Sequence, residues 1–231
     1  MTKKITSVLV IGAHPDDDVL GCGGTIAKLS KKPSIKINTL FISNGIDSRK
    51  GNKRVTQKNI SIRKKAAQKA CKILGSNSPY FADLADNQLD KYPLLKIVKI
   101  IEKYIIKFKP EIIFTHFYND LNIDHQIVNK AAVTASRPQN KSSVKTLFFF
   151  EVPSSTEWKI DTKLKMFNPN WFEDITKFKK VKLQALKAYK TELRSWPHPR
   201  SLKGVDALIS WRGATVGVEA AEAFVLGRKI S

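Results

Sequence analysis

Cysteine is almost missing from this chain. Cys22 and Cys71 are the only two in 231 residues, and they form no C-x-x-C pair. A disulfide framework and a cysteine-built metal ribbon are therefore excluded, and both thiols read as small buried hydrophobes. No apolar run is long enough for a membrane span. The short apolar stretch Val8–Ile11, close behind Met1, is too brief for a signal-peptide core and has no small-residue cleavage site, which points to a cytoplasmic protein. Acidic residues are also scarce. Twenty Asp and Glu stand against 41 Lys and Arg, for a net charge of +21. The lysines are spread along the whole chain without an aromatic-plus-basic stripe, so no specific nucleic-acid partner is expected. The charge reads as compositional drift with a mild attraction for anionic substrates.

What remains is the composition of a globular protein, with 42% hydrophobic and 26% charged residues, of a length that suits one domain spanning residues 1–231. Short β-rich runs alternate with amphipathic ones. Strands are predicted at Ser7–Ile11, Lys36–Ser43, Tyr80–Phe81, Glu111–Thr115 and Leu147–Val152. Helices are predicted at Val19–Ser30, Ile60–Leu74, Leu94–Phe108 and Ile123–Ser136, with Gly75 and Pro110 as stop signals. The polar run Arg49–Lys58 reads as a loop. The alternation implies an α/β fold, a mainly parallel Rossmann-like sheet flanked by helices. Ligands in such folds bind beyond the carboxyl ends of the strands.

Two acid-and-histidine clusters fall at those ends. Ala13-His14-Pro15-Asp16-Asp17-Asp18 follows the first strand, and His116-Phe117-Tyr118-Asn119-Asp120-Leu121-Asn122-Ile123-Asp124-His125 follows the Glu111–Thr115 strand. The chain has only four histidines. Imidazole and carboxylate together suit zinc or iron, and two histidines with one carboxylate leave a coordination position open for water. Taken alone, the acids before a helix have a plainer role as caps opposing its dipole. Gly21-Cys22-Gly23-Gly24 is not G-x-G-x-x-G, so a dinucleotide site is excluded; these glycines are expected to let the chain approach the metal loop closely.

The two clusters resemble the PIG-L/LmbE-like family of zinc-dependent deacetylases, whose first loop reads A/P-H-P-D-D-E and whose second carries a D-H pair. Here Ala13–Asp17 and Asp124-His125 match. Asn44-Gly45, Arg63 at the head of a helix, Asp86-Asn87-Gln88-Leu89-Asp90, His198-Pro199-Arg200-Ser201, Trp211-Arg212-Gly213 and Gly217–Phe224 are similar too. The later segments resemble members from glycoconjugate pathways. The resemblance implies that His14, Asp17 and His125 bind Zn2+ and that Asp16 is the general base. It also implies that Asp124 supports a histidine or a substrate group beside the metal. The implied activity is removal of an acetyl group from an N-acetylated sugar or sugar conjugate of the N-acetylglucosamine type.

Two departures stand out. Asp18 replaces the usual Glu, and Asn122 stands where many members carry histidine. An amide donates a hydrogen bond but not a proton, so the acid role passes to His198, His116 or protonated Asp16. Arg63, Asn122 and Arg200 are the substrate-binding candidates. Arg63 has the alternative of a surface ion pair, and Trp211 of a core position rather than a sugar platform. The rival functions are an amidase of the same family acting on another acyl group and a basic binding protein with a non-catalytic metal site. A homo-oligomer is compatible with either.

Overall fold

The computed structural model describes residues 7–46, 53–139, 142–160 and 165–231. Five strands run parallel: β1 (Ser7–Gly12), β2 (Lys36–Ser43), β3 (Tyr80–Leu84), β4 (Ile112–His116) and β5 (Thr146–Phe150). Two more complete the sheet, β6 (Trp171–Asp174) and β7 (Ala221–Lys229), in the order β3-β2-β1-β4-β5-β7-β6. β7 is antiparallel to both neighbours, β5 and β6. The α/β class with a mainly parallel sheet is as expected. The antiparallel edge was not predicted, because its strands follow a long stretch whose period is not legible.

Among the described residues, six α-helices cover the two faces: α1 (Asp17–Ser30), α2 (Lys53–Leu74), α3 (Leu94–Phe108), α4 (Ile123–Ala135), α5 (Lys179–Leu186) and α6 (Leu202–Ala214). The period-two alternation of β1 explains the sandwich. Val8 and Val10 face a core shared with α1, α2, α5 and α6, while Leu9 and Ile11 face a second core with α3 and α4. All four are essentially inaccessible to solvent. Burial on both sides is what a parallel strand requires, and it is why the run reads as continuously apolar.

The expected loop at Arg49–Lys58 is corrected in part. Residues 53–58 form the first turns of α2, whereas 49–52 lie outside the described residues. Gln57 and Lys58 are exposed there. Exposed positions such as these carry no apolar period, although Lys and Gln are good helix formers.

The glycines of α1 are corrected as well. Cys22 has non-helical dihedrals that kink the helix. Across the kink Glu222 accepts hydrogen bonds from the backbone N–H groups of Gly24 (2.8 Å) and Thr25 (2.7 Å), and buried Lys182 neutralises it at 2.6 Å. Gly21 lies against the ring of Phe150 and Gly24 against Ile175, so these glycines seat the helix on the sheet rather than on the metal loop. A methyl group on Gly21 would stand 2.4 Å from the Phe150 ring. Gly21→Ala is expected to cost about 1–3 kcal/mol in urea unfolding through overpacking. Gly23→Ala, whose methyl would meet Val19 at 3.3 Å, is expected to cost less.

Candidate metal centre and active site

The strand order reverses beside β1, where β2 lies on one side and β4 on the other. This is the switch point at which an open α/β sheet parts to admit a ligand. The loop after β1 carries His14, Asp16 and Asp17, and the loop after β4 leads into α4 with Asp124 and His125. Parallel pairing of Ile11 with Thr115 brings the two loops side by side.

The donor groups of three residues converge there. His14 Nδ1 is 3.3 Å from His125 Nε2 and 3.5 Å from Asp17 Oδ2, and His125 Nε2 is 3.5 Å from Asp17 Oδ1. Donors bound at about 2.0–2.1 Å around a tetrahedral ion stand about 3.3 Å apart. The two imidazole nitrogens thus have the spacing of two corners of a metal tetrahedron, Asp17 offers one carboxylate oxygen to each side, and the donor set fits such an ion.

The other nitrogen of each imidazole is held by carboxylates. His14 Nε2 lies 3.1 Å from both Asp124 Oδ2 and Asp86 Oδ1. Asp124 is fixed in turn by the N–H groups of Asn87 (2.8 Å) and Leu89 (3.0 Å). His125 Nδ1 lies 3.1 Å from Asp120 Oδ1. Asp120 accepts hydrogen bonds from the Ser155 hydroxyl, from Thr156 Oγ1 at 2.6 Å and from the Asn122 N–H at 2.8 Å. Such partners fix ring orientation and strengthen an imidazole ligand.

The electrostatics follow from this crowding. Burial opposes a charged His14, but hydrogen bonds to Asp124, Asp17 and Asp86 outweigh it and hold its pKa well above the ordinary value. Burial likewise opposes ionisation of Asp120, yet the charge and hydrogen bond of His125, with the Ser155 and Thr156 hydroxyls, keep its pKa at about 2. Asp17 is held well below the carboxylate range because the surrounding histidines overcome its burial. A nest of buried carboxylates is costly without positive charge among them. A cation held by His14, Asp17 and His125 would add such charge.

Asp16 differs from its neighbours. Its φ of 136° lies where residues other than glycine are strained. Its Oδ1 accepts a hydrogen bond from Arg63 Nη2 at 3.0 Å, and its Oδ2 faces Arg200 Nη1 at 3.7 Å. Burial raises its pKa despite those two cations.

Several expectations are corrected here. Arg63 is neither a surface ion-pair residue nor free for substrate. It is buried, donates to the Pro15 carbonyl at 2.7 Å and to Asp16, and contacts Glu192, so it clamps the strained loop. Asn122 caps α4, its Oδ1 accepting from the Asp124 N–H at 2.8 Å and its amide donating to Asn87 Oδ1 at 3.0 Å. Its side-chain oxygen and nitrogen are thus both engaged within the protein. His116 is unsuited to supply a proton. It is fully buried, its Nε2 accepts from the Ala13 N–H at 2.8 Å, and burial with nearby His125 pushes its pKa down to about 4. Trp211 is 64% exposed and so not a core residue. Asp18 is fully buried, which raises its pKa to about 7.

His198 and Arg200 sit at the margin. The His198 ring lies edge-on to Trp158 with 5.6 Å between centroids, and its Nδ1 accepts from the Arg200 N–H at 3.0 Å. Arg200 donates to the Pro153 carbonyl at 3.3 Å and reaches Asp16. Four supporting residues had no assigned role in the sequence: Asp86, Asp120, Ser155 and Thr156. Asp86 stands in a segment similar to the family and Asp120 in the second acid-and-histidine cluster, and the need of each histidine for a carboxylate partner is the signal that finds them. Nothing in the sequence marks the two hydroxyls.

Known proteins resemble this chain in sequence and in fold. The chain is 30% identical over 194 residues to the uncharacterised deacetylase YaiS of Escherichia coli (strain K12), covering 82% of this chain and 93% of the relative. N,N'-diacetylchitobiose deacetylase from Pyrococcus horikoshii superposes with a TM-score of 0.79 at 20% identity, over 97% of this chain and 85% of that one. The 4-carboxy-2-hydroxymuconate hydratase GalB of Pseudomonas putida KT2440 superposes with a TM-score of 0.77 at 21% identity, over 98% of each chain. The fold therefore hosts more than one chemistry, and the site must decide. Residues 9–136, which contain both loops, match the GlcNAc-PI de-N-acetylase family. The chain belongs to the GlcNAc-PI de-N-acetylase (PIG-L) family.

Proposed function

We propose that this protein is a zinc-dependent hydrolase, folded as one domain, that removes the acetyl group from an N-acetylated sugar of the N-acetylglucosamine type. The observation that carries the reading is the convergence of His14 Nδ1, Asp17 and His125 Nε2 beside the buried carboxyl of Asp16. His14, Asp17 and His125 would hold the ion. Bound zinc supplies a lowered pKa for water and polarisation of the acetamide carbonyl. Asp16 accepts the proton of the attacking water, a role that suits a carboxyl whose pKa burial has raised. Arg63 orients that carboxyl from behind. Arg200 tempers its basicity from the open side and contributes to substrate binding. His198, whose Nδ1 accepts a backbone N–H and which therefore carries its proton on Nε2 when neutral, is the candidate donor to the developing oxyanion or the leaving amine. Asp124 acts as a positioning group behind His14 rather than at the substrate.

Three outcomes are expected. Asp16→Asn retains zinc, by metal analysis, but loses acetate release by at least about 100-fold, as general-base catalysis requires. Normal turnover by that folded, loaded variant would remove Asp16 from the mechanism. The acid limb of the kcat/KM pH profile belongs to Asp16 in this reading and lies above the ordinary carboxylate range. Arg200→Ala removes a positive charge that lowers the Asp16 pKa, so the limb moves to higher pH. A limb that stays or moves down contradicts the assignment. Asp120→Asn weakens zinc binding about 10–100-fold in competition with a chelator, through loss of the His125 partner. Acetate release compared with release of longer acyl groups separates a deacetylase from a broader amidase.

A further inference from the structure

The net charge of +21 plays no part in the chemistry above. Nor does a set of apolar side chains that stand in solvent beside the site. Leu121, Trp158, Ile160, Met166 and Trp196 are 45% to 92% exposed, Ile160 the most. In sequence they are scattered over 76 positions, but the fold gathers the loops that bear them. Leu121 lies between Asp120 and Asn122 on the loop after β4, and its N–H donates to the Ser155 carbonyl. Trp158 and Ile160 follow Ser155 and Thr156, the residues that hold Asp120. Met166 adjoins Lys165, whose carbonyl accepts from Asn119 on that same β4 loop at 3.2 Å. Trp196 precedes His198, the ring that meets Trp158. These side chains therefore stand on one set of neighbouring loops, a rim beside the residues that hold the metal-binding histidines.

The charge on this rim is positive. Lys165, Arg194 and Lys203 are exposed on it, and Lys203 Nζ lies 4.7 Å above the Trp196 ring. The neighbouring acid, Glu157, is turned back to the N–H groups of Ser154 and Ser155. Exposed Trp, Ile, Leu and Met interleaved with Lys and Arg have the composition of a surface that rests in the headgroup region of a bilayer. Apolar side chains enter the acyl boundary, and each cation near an anionic leaflet contributes about 1 kcal/mol. A partner of opposite charge with an apolar interior satisfies both halves of the rim. Nucleic acid has no use for the isoleucine and methionine, and a second copy would set like charge against like.

We infer that this rim is a docking face for an anionic phospholipid membrane, which seats the mouth of the metal centre on the bilayer. No helix among the described residues is long and apolar enough to cross a membrane, so the attachment is peripheral. The inference concerns binding and goes beyond the proposed activity.

The test is co-sedimentation of the full chain with phosphatidylcholine vesicles and with vesicles containing about one third phosphatidylglycerol, beside the double variant Ile160→Glu/Met166→Glu. Both substituted residues project into solvent and lie outside the catalytic machinery. The wild-type chain is expected to pellet with the anionic vesicles and far less with the neutral ones. Added salt weakens the binding, and the double variant loses it at least about tenfold while retaining a native circular dichroism spectrum. Equal binding by the double variant overturns the inference, since adsorption would then come from charge over the whole surface. So does absence of vesicle binding, whether or not the rim instead mediates self-association in light scattering or retention on single-stranded DNA. Acetate release from soluble N-acetylglucosamine, measured on both proteins without vesicles, reports the chemistry separately. A failed docking face and a failed deacetylase reading are thereby distinguished.

Discussion

The parallel pairing of β1 with β4 is the constraint on which the site depends. His14 and His125 are 111 positions apart, and neither loop holds a complete donor set. Register pairs Val10 with Phe114 and Ile11 with Thr115, so both chains leave the sheet at one edge and next to each other. The hydrophobic cores on the two faces fix that register, because a slip by one residue would turn Leu9 and Ile11 into the wrong core. The order of the apolar residues in a six-residue strand thus decides where the imidazoles meet.

Once the loops meet, charge governs the rest. Asp17, Asp86, Asp120 and Asp124 lie buried around two imidazoles. Backbone N–H groups and hydroxyls satisfy the outer carboxylates, which leaves the inner donor atoms directed at a common point. Asp16 is held apart from this group by a strained backbone and by buried Arg63, itself balanced by Glu192. The first loop accordingly supplies two acids with opposite tendencies, Asp17 ionised and Asp16 raised toward neutrality. That separation of adjacent carboxyls suits a ligand and a base.

The parallel strands, the bounds of α3 and α4 to within a residue, and the motif residues were legible in the sequence because each follows from a local pattern, whereas α5 and α6 were not foreseen. Val8 to Ile11 announces a strand buried on both faces, and His-Pro-Asp-Asp at its end announces the site. The errors lie where tertiary contact overrides local pattern. Arg63 has the sequence context of a surface residue, and only the fold reveals that α2 buries it beneath the loop. Asn122 sits where a catalytic group is expected, yet its distance from the start of α4 makes it a helix cap. The glycines near Cys22 gave no indication of their partners, Phe150 and Ile175, which are more than 120 positions away. β7 was hidden because a strand antiparallel to both its neighbours, β5 and β6, has no βαβ signature.

The central claim is that one ion held by His14, Asp17 and His125 makes this chain a deacetylase. The most direct measurement strips the protein with a chelator and titrates zinc back while following acetate release from a substrate bearing N-acetylglucosamine. No release is expected from the stripped protein, followed by a rise that ends at one equivalent of zinc per chain. Release that survives stripping, or zinc that restores nothing on any N-acetylated sugar, would contradict it.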